Sequence, residues 1–203
     1  MSEIYSFYAM MSRIKYIHRW GLRKNTRNEN LSEHSLEVSM IAHALGVINN
    51  KRFDGSINPE RLAVLAMFHD VSEIITGDLP TPVKYDNRKI TNAYKELEEQ
   101  ARLSLLKMLP DDIAEVYRSI LCEDENELLL WKYVKAADTI SALIKCTEEL
   151  IMGNAEYSKI KQSKLRAIEK IDLPEVKIFM QEMFPAYELT LDEQKSACPL
   201  ILT

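Results

Sequence analysis

The sequence is poor in the residues that sheets, disulfide frameworks and membrane spans require. Glycine occurs only 5 times in 203 residues, and leucine far outnumbers valine, a balance that favours helices over strands. The three cysteines, Cys122, Cys146 and Cys198, are far apart and form no CxxC pair, which argues against a disulfide framework and a thiolate zinc site. No uncharged apolar run reaches the roughly 18 residues of a membrane span. We therefore expect an all-α protein in a reducing compartment, the cytoplasm, with no membrane partner.

Charge narrows the range of partners. The formal net charge of −5 argues against binding to a nucleic acid polymer. One stretch departs from the acidic average, because Arg13 to Arg27 contains six basic residues and no acidic one. This pattern fits either a local site for an anion such as one phosphate or the solvated end of a helix.

Apolar residues recur at helical spacing along most of the chain and predict a single helical domain over residues 1–203. Asn30 with Glu33 has the pattern of a capping box, Asn58-Pro59 that of a helix start, and Gly77 that of a helix end. Two prolines predict a loop over 78–84. The expected helices are 4–17, 31–50, 59–76, 90–108, 111–121, 127–152, 155–170 and 174–184.

Histidine is also scarce, with 4 in the chain, and two of them have suggestive neighbours. His34 lies in the first turns of a predicted helix, and His69 is followed at once by Asp70. Asp138 lies on the long helix 127–152. Imidazole and carboxylate together suit a divalent metal, and these four side chains would come from three helices. Each is weak evidence alone, since a single histidine is usually structural and Asp138 could pair with a surface lysine.

Beyond these four residues, several longer sequence motifs resemble those of a known family. They are RW at 19–20, NLSEHS at 30–35, AMFHDVSE at 66–73, TGDLPTPVKY at 76–85 and AADTISA at 136–142. In this order the chain resembles the HD-domain metal-dependent phosphohydrolases, and among them the bacterial 5′-deoxynucleotidases of the HD type, from about residue 8 to residue 193. The string at 76–85 is far more specific than the HD pair.

The resemblance implies an all-α fold of the HD type and one divalent metal, cobalt, manganese or a similar transition metal. The implied reaction removes the 5′-phosphate from deoxyribonucleoside 5′-monophosphates, and the implied assembly is a homodimer. By the same resemblance, Glu73 and Arg19 are catalytic, with Arg19 and Trp20 on the phosphate and sugar. The implied metal ligands are His34, His69, Asp70 and Asp138, and the implied substrate contacts are Arg19, Trp20, His34, His69, Asp78, Leu79, Pro80 and Thr81.

Elementary geometry agrees with part of this assignment. Glu73 follows Asp70 by three residues and His69 by four, so on a continuous helix all three would share a face. Glu73 would then lie beside the metal without binding it, where a general acid or base is needed, although it could also be an ordinary partner of a lysine or arginine. His43 follows His34 by nine residues and should point away from the site, which predicts one metal rather than two.

Three other interpretations stay open. The chain could hydrolyse another nucleotide, a triphosphate or a cyclic phosphodiester, although Lys84 is the only basic residue within 76–85. It could be a regulatory HD protein that binds nucleotide without turnover, although none of the expected ligands is missing. It could also be a helical interaction protein whose histidines and carboxylates are structural, in which case it would bind no metal.

Overall fold

The computed structural model describes residues 3–84 and 86–196, with side chains through Gln194, so Tyr85, the last residue of the string at 76–85, and Cys198 lie outside the described residues. In these ranges the chain is helical, and its only β-type pairing is an isolated antiparallel bridge between His18 and Asn30. The expected all-α fold is therefore confirmed. None of the described helices is long and apolar enough to cross a bilayer. The helices are α1 (Phe7–Met11), α2 (Leu31–Arg52), α3 (Pro59–Met67), α4 (Glu73–Thr76), α5 (Thr81–Lys84), α6 (Arg88–Leu106), α7 (Asp111–Leu121), α8 (Leu128–Ile151), α9 (Ser158–Ile168), α10 (Pro174–Glu182) and α11 (Leu191–Ser196).

Local signals set several of the helix ends. The Asn30 side chain accepts hydrogen bonds from the backbone N–H groups of Ser32 and Glu33, and the Glu33 carboxylate accepts one from the backbone N–H of Asn30, so the predicted capping box is confirmed. Such a cap contributes about 1 kcal/mol to helix stability. Asn58 caps α3 through the backbone N–H of Arg61. These caps fix where α2 and α3 begin, and α2 carries His34 one turn after its cap.

Two apolar clusters hold the helices together. The larger joins α2, α3, α8 and α10 through buried side chains such as Leu45, Leu65 and Ile140. The smaller joins α1, α6 and α7 through residues such as Phe7 and Leu105. Because α2 and α8 pack against each other, the histidine of the first and the aspartate of the second can meet at one point.

The predicted helix over 4–17 is interrupted. It consists of α1 and a 3₁₀ turn over Ile14–Tyr16. Beyond it, residues 17–19 pair with the residues that precede α2. The carbonyl of Ile17 accepts from the N–H of Leu31 at 2.9 Å, and the N–H of Arg19 donates to the carbonyl of Glu29 at 3.0 Å. Pairing with the residues before α2 competes successfully with helix continuation. Two smaller differences are a one-turn helix, α5, within the predicted loop, and α11, which was not predicted.

The largest correction concerns the helix that was expected over 59–76. It ends at Met67, and residues 68–72 are a succession of turns before α4 begins at Glu73. His69 and Asp70 therefore lie in the break and not on a helix face. The prediction that a continuous helix places His69, Asp70 and Glu73 on one face is therefore wrong. The three residues nevertheless lie near one another.

The segment between residues 17 and 30 is held on α8 by a buried carboxylate. Glu149 is 1% exposed and accepts hydrogen bonds from the backbone N–H and the hydroxyl of Thr26, both at 2.9 Å. It also accepts from Asn154 at 2.8 Å and from Lys145 at 2.5 Å. Lys145 in turn donates to the carbonyl of Arg27 at 2.7 Å. This network, here called the Glu149 anchor, fixes the basic segment that follows Trp20.

Candidate active site

Two histidines and a carboxylate converge between α2 and the break after α3. His34, His69 and Asp70 each offer a ligand atom, and these atoms all lie within 4.8 Å of one another. The Asp70 Oδ2 atom lies 3.0 Å from His69 Nε2 and 3.6 Å from His34 Nε2. Asp138 approaches from α8, with its Oδ1 atom 3.2 Å from His34 Nε2. The structure thus brings together all four predicted ligands, with the first three as the compact group and Asp138 beside His34.

The backbone fixes the orientation of His69. Its Nδ1 atom lies 2.7 Å from the carbonyl oxygen of Ala66, and a carbonyl can only accept a hydrogen bond. The ring therefore carries a proton on Nδ1, and a neutral ring presents its Nε2 lone pair to Asp70. A hydrogen bond from the second ring nitrogen to a carbonyl is the usual support of a metal-binding histidine.

These residues fit a divalent metal. The Nε2 atoms of His34 and His69 are both buried and have no hydrogen-bond partner among the described residues. The groups that face them are carboxylate oxygens, Asp70 at 3.0 Å from His69 and Asp138 at 3.2 Å from His34. Buried nitrogens that lack a well-directed hydrogen bond are costly unless something else binds them. Ligand atoms in a tetrahedral site with bonds of about 2.1 Å lie about 3.4 Å apart, which is close to the separations observed here. A set of two imidazoles and one or two carboxylates suits a transition metal.

Charge accumulates around this centre. Burial lowers the pKa of His69, but the adjacent Asp70 outweighs that effect and raises it to about 9. Without a metal the Nε2 atom therefore also carries a proton at neutral pH, and a bound ion would displace that proton. Burial raises the pKa of Asp70 and Asp138, but the two histidines dominate and hold both carboxyls well below their usual range. Both carboxylates are therefore ionised at neutral pH and can serve as anionic ligands.

Arg19 and Trp20 share one acceptor at the side of the centre. The Glu29 carboxylate accepts from Arg19 Nη1 at 2.7 Å and from Trp20 Nε1 at 2.8 Å. Arg19 Nη2 lies 3.9 Å from Asp138 Oδ1, which is too far for a hydrogen bond. The guanidinium is thus held in place by one nitrogen with another turned toward the metal ligands. Glu29 was not among the predicted site residues.

Trp20 is also tied to the predicted substrate loop. Its backbone N–H donates to Asp78 Oδ2 at 3.3 Å, and its φ of +64° lies in the left-handed region that is uncommon for a bulky residue. Its ring makes an edge contact with Tyr157, with centroids 5.5 Å apart. Backbone strain of this kind persists where surrounding contacts fix it, and here the contacts hold the indole at the cleft.

Glu73 is buried between these elements. It is 6% exposed, and its Oε2 atom has no hydrogen-bond partner among the described residues. Burial, together with the charges of Asp70 and Asp78, raises its pKa to about 9. At neutral pH the carboxyl therefore keeps its proton, as a general acid must.

A cleft of about 620 Å³ opens beside the centre. The predicted Arg19, Trp20, Asp70, Glu73, Asp138 and Asp78–Thr81 line it. Of the predicted substrate contacts, His34 and His69 are not among the residues that line it. His34 instead lines a separate small cavity of about 170 Å³, together with Glu29, Glu37 and Glu148.

Two lysines of α9, Lys159 and Lys164, also line the cleft and were not predicted. No local motif marks them, because only the packing of α9 on α8 brings them there. The other histidines, His18 and His43, are exposed, as the spacing of His43 predicted.

Comparison with known proteins decides the family. A model of the family described as 5′-deoxynucleotidase YfbR-like matches residues 6–187. The chain belongs to this family. A curated relative from Cronobacter sakazakii, named 5′-deoxynucleotidase, is 45% identical over 199 residues, covering 96% of this chain and 98% of the relative. The family match spans every residue of the centre and of the cleft described above.

Solved structures agree with the fold of this YfbR-like chain. An HD-domain phosphohydrolase from Listeria innocua has a TM-score of 0.79 and 26% identity, covering 96% of this chain and 93% of that chain. A cyanophage S-2L HD phosphohydrolase, described as bound to dA and one catalytic Zn²⁺ ion, has a TM-score of 0.63 and 20% identity, covering 94% and 99%. At that identity the second likeness concerns the fold alone.

Proposed function

We propose that this chain is a metal-dependent 5′-deoxynucleotidase that hydrolyses deoxyribonucleoside 5′-monophosphates to deoxynucleoside and phosphate. The observation that carries the proposal is the pair of buried Nε2 atoms of His34 and His69, which make no hydrogen bond among the described residues and face Asp70, in a chain 45% identical to a named 5′-deoxynucleotidase. The cleft beside this centre can hold a nucleotide.

In this proposal His34, His69, Asp70 and Asp138 hold one divalent ion, with cobalt, manganese and zinc as the metals to test first. A bound ion supplies a Lewis acid that polarises phosphoryl oxygens and acidifies a water molecule. The other steps fall to side chains of this chain, each positioned by the contacts described above.

Arg19 is assigned to the phosphate. Glu29 holds Nη1 at 2.7 Å, so Nη2 is the nitrogen that we expect to bind a phosphoryl oxygen. A guanidinium bond to phosphate is charge-assisted and stronger than a neutral hydrogen bond. The Arg19 side chain is only 13% exposed, so little reordering is needed when substrate enters.

Glu73 is assigned to proton transfer. With its pKa raised to about 9 by burial, Asp70 and Asp78, it holds a proton at neutral pH. When the bond between phosphorus and O5′ breaks, O5′ takes this proton. The water molecule that forms the new bond to phosphorus gives up a proton that restores Glu73, so the cycle balances.

Trp20 and the loop from Asp78 to Thr81, with Leu79 and Pro80, are assigned to the sugar. The bond from the Trp20 N–H to Asp78 places the indole and the loop on the same side of the cleft. A rigid ring leaves a 2′-hydroxyl without a partner, and burying a hydroxyl unpaired costs roughly 1–3 kcal/mol. Discrimination against ribonucleotides follows from this cost.

A phosphate-release screen tests the proposal directly. The metal-free protein is assayed with Co²⁺, Mn²⁺, Zn²⁺ or Mg²⁺ against dAMP, AMP, dADP and dATP. We expect phosphate from dAMP, at least tenfold less from AMP, and none without metal. Metal-independent turnover, or equal rates on AMP and dAMP, would contradict the proposal.

A second candidate, a nucleoside triphosphohydrolase, is favoured by one feature of the cleft. Lys159 and Lys164 add basic groups that a triphosphate would use. The same screen separates the two, because a triphosphohydrolase would act on dATP faster than on dAMP. We favour the monophosphate because the named relative is a 5′-deoxynucleotidase.

We also propose a cytoplasmic homodimer, as the family resemblance and cysteine usage predict. Cys122 and Cys146 are free, which suits a reducing compartment. Leu36, Met40 and Val47 are exposed at helical spacing on α2 and offer an apolar surface to a second copy. Analytical ultracentrifugation tests the dimer, and a sedimentation coefficient of a 23.5 kDa monomer at micromolar concentration would contradict it.

A further inference from the structure

The proton on His34 is not fixed by the backbone, in contrast to that on His69. Its Nδ1 atom lies 3.0 Å from the hydroxyl oxygen of Ser141, and a hydroxyl can donate or accept. The contact alone therefore leaves open which nitrogen of His34 carries the proton. If the hydroxyl donated to Nδ1, the proton would lie on Nε2 and the ring could not bind a metal there.

A third residue decides the direction. The Ser141 hydroxyl also donates to Glu37 Oε2 at 2.5 Å. Burial raises the pKa of Glu37, but the hydrogen bond from Ser141 favours the ionised form, which can only accept. A hydroxyl has one hydrogen, so the hydrogen given to Glu37 is not available to His34. Ser141 Oγ must then accept from Nδ1 of His34, which leaves the Nε2 lone pair for the metal.

We propose that Glu37 and Ser141 are positioning residues that set the proton of His34 for metal binding, as the Ala66 carbonyl does for His69. This inference rests on the proposed metal site. Neither residue belongs to the compact ligand group or lines the cleft. Glu37 lies one turn after His34 on α2, and Ser141 lies one turn after Asp138 on α8, so this Glu37–Ser141–His34 chain also links the two helices that supply those ligands.

The burial of the group explains why the effect should be measurable. Ser141 is fully buried and His34 is 1% exposed, so water cannot readily replace a lost partner. Loss of a partner of a metal-binding histidine typically costs 10- to 100-fold in metal affinity. Glu29 Oε1 is a substitute acceptor, but it lies 3.6 Å from His34 Nδ1, and it already accepts a hydrogen bond from Arg19.

The test measures Zn²⁺ affinity by competition with a chromophoric chelator, without any activity assay. We expect Ser141→Ala to raise the Zn²⁺ dissociation constant 10- to 100-fold. The matched control is Ser39→Ala on α2, which also removes a buried hydroxyl, one that donates only to the carbonyl of Ser35 at 2.7 Å. Urea unfolding of both metal-free variants measures any general loss of stability.

A double-mutant cycle tests the order of the chain. Glu37→Ala should weaken Zn²⁺ binding because the freed Ser141 hydrogen can turn to His34. Glu148→Ala, which removes another carboxylate from the small cavity that His34 and Glu37 line, should not. If Glu37 acts through Ser141, the variant with both Glu37→Ala and Ser141→Ala binds Zn²⁺ no more weakly than Ser141→Ala alone. Additive losses would overturn the proposal.

The results also separate this inference from the proposed function. If wild-type protein binds no Zn²⁺, or His34→Ala binds it as tightly as wild type, the metal site itself is wrong. If His34→Ala loses Zn²⁺ while Ser141→Ala stays within twofold of Ser39→Ala, only the positioning role is wrong. If Ser141→Ala does not fold, proton NMR provides the test. The proposal predicts a His34 Nδ1–H resonance in Zn²⁺-loaded wild type and its loss in Glu37→Ala.

Discussion

Replacement of Glu149 by glutamine should destabilise the fold in a way that depends on pH. Burial raises the pKa of this carboxyl, but the hydrogen bond from Lys145, followed by those from Thr26 and Asn154, outweighs burial and lowers it to about 2. The ordinary value is near 4.5, and one pKa unit corresponds to about 1.4 kcal/mol. The ionised form is therefore favoured by about 3 kcal/mol in the folded state.

The sign follows from proton binding. A group whose folded pKa is lowered stabilises the fold above its unfolded pKa and loses that contribution as pH falls toward the folded value. The difference in unfolding free energy between wild type and Glu149→Gln should be about 3 kcal/mol at pH 7. It should fall to about 1 kcal/mol at pH 3.

The assay is urea unfolding of metal-free protein, followed by circular dichroism at pH 7, 4.5 and 3. Glu148→Gln is the control because burial raises the pKa of Glu148, so the neutral substitute should be neutral or stabilising at pH 7. A difference for Glu149→Gln below about 1 kcal/mol at pH 7, or one that does not shrink on acidification, would refute the reasoning.

Three further predictions concern catalysis. Asp70→Asn should remove both metal and activity because it removes an anionic ligand, and a full metal content by plasma emission with unchanged turnover would contradict the site. Glu73→Ala should keep metal and nucleotide binding but lose 10²- to 10⁴-fold in kcat, the usual contribution of a general acid or base; a loss below about threefold in steady-state assays makes Glu73 structural. Trp20→Ala should narrow the ratio of kcat/KM for dAMP over AMP, chiefly by admitting AMP. If kcat/KM falls equally for dAMP and AMP and Tm falls by several degrees, Trp20 acts through packing on Tyr157.

Short-range signals predicted the helix starts well. The caps at Asn30 and Asn58 lie where the sequence placed them, because a cap depends on residues two or three positions away. The long helix over 127–152 is observed as α8, from Leu128 to Ile151, and Gly153 follows it with a φ of +83°. Propensity and periodicity act over the same distances as these contacts, so they suffice here.

The break after Met67 could not be predicted in this way. Apolar residues continue at helical spacing to Ile74, and neither glycine nor proline interrupts them. What ends the helix is tertiary, since His69 and Asp70 turn toward His34 on another helix. The partners Glu29, Glu37 and Ser141 were missed for the same reason: each is defined by a contact with a residue far away or by the fold around His34, and no local pattern marks them.

The break after Met67 sets helix continuation against the proposed metal site. In an uninterrupted helix the Ala66 carbonyl would accept from the backbone N–H of Asp70, whereas here it accepts from the His69 ring. Successive residues on a helix point about 100° apart, so the turns after Met67 also bring His69 and Asp70 closer to one point than a continuous helix would. A substitution within residues 68–72 that extended α3 would raise helix content while withdrawing the carbonyl that orients His69. Variants selected for higher helix content should therefore be checked for metal content before activity.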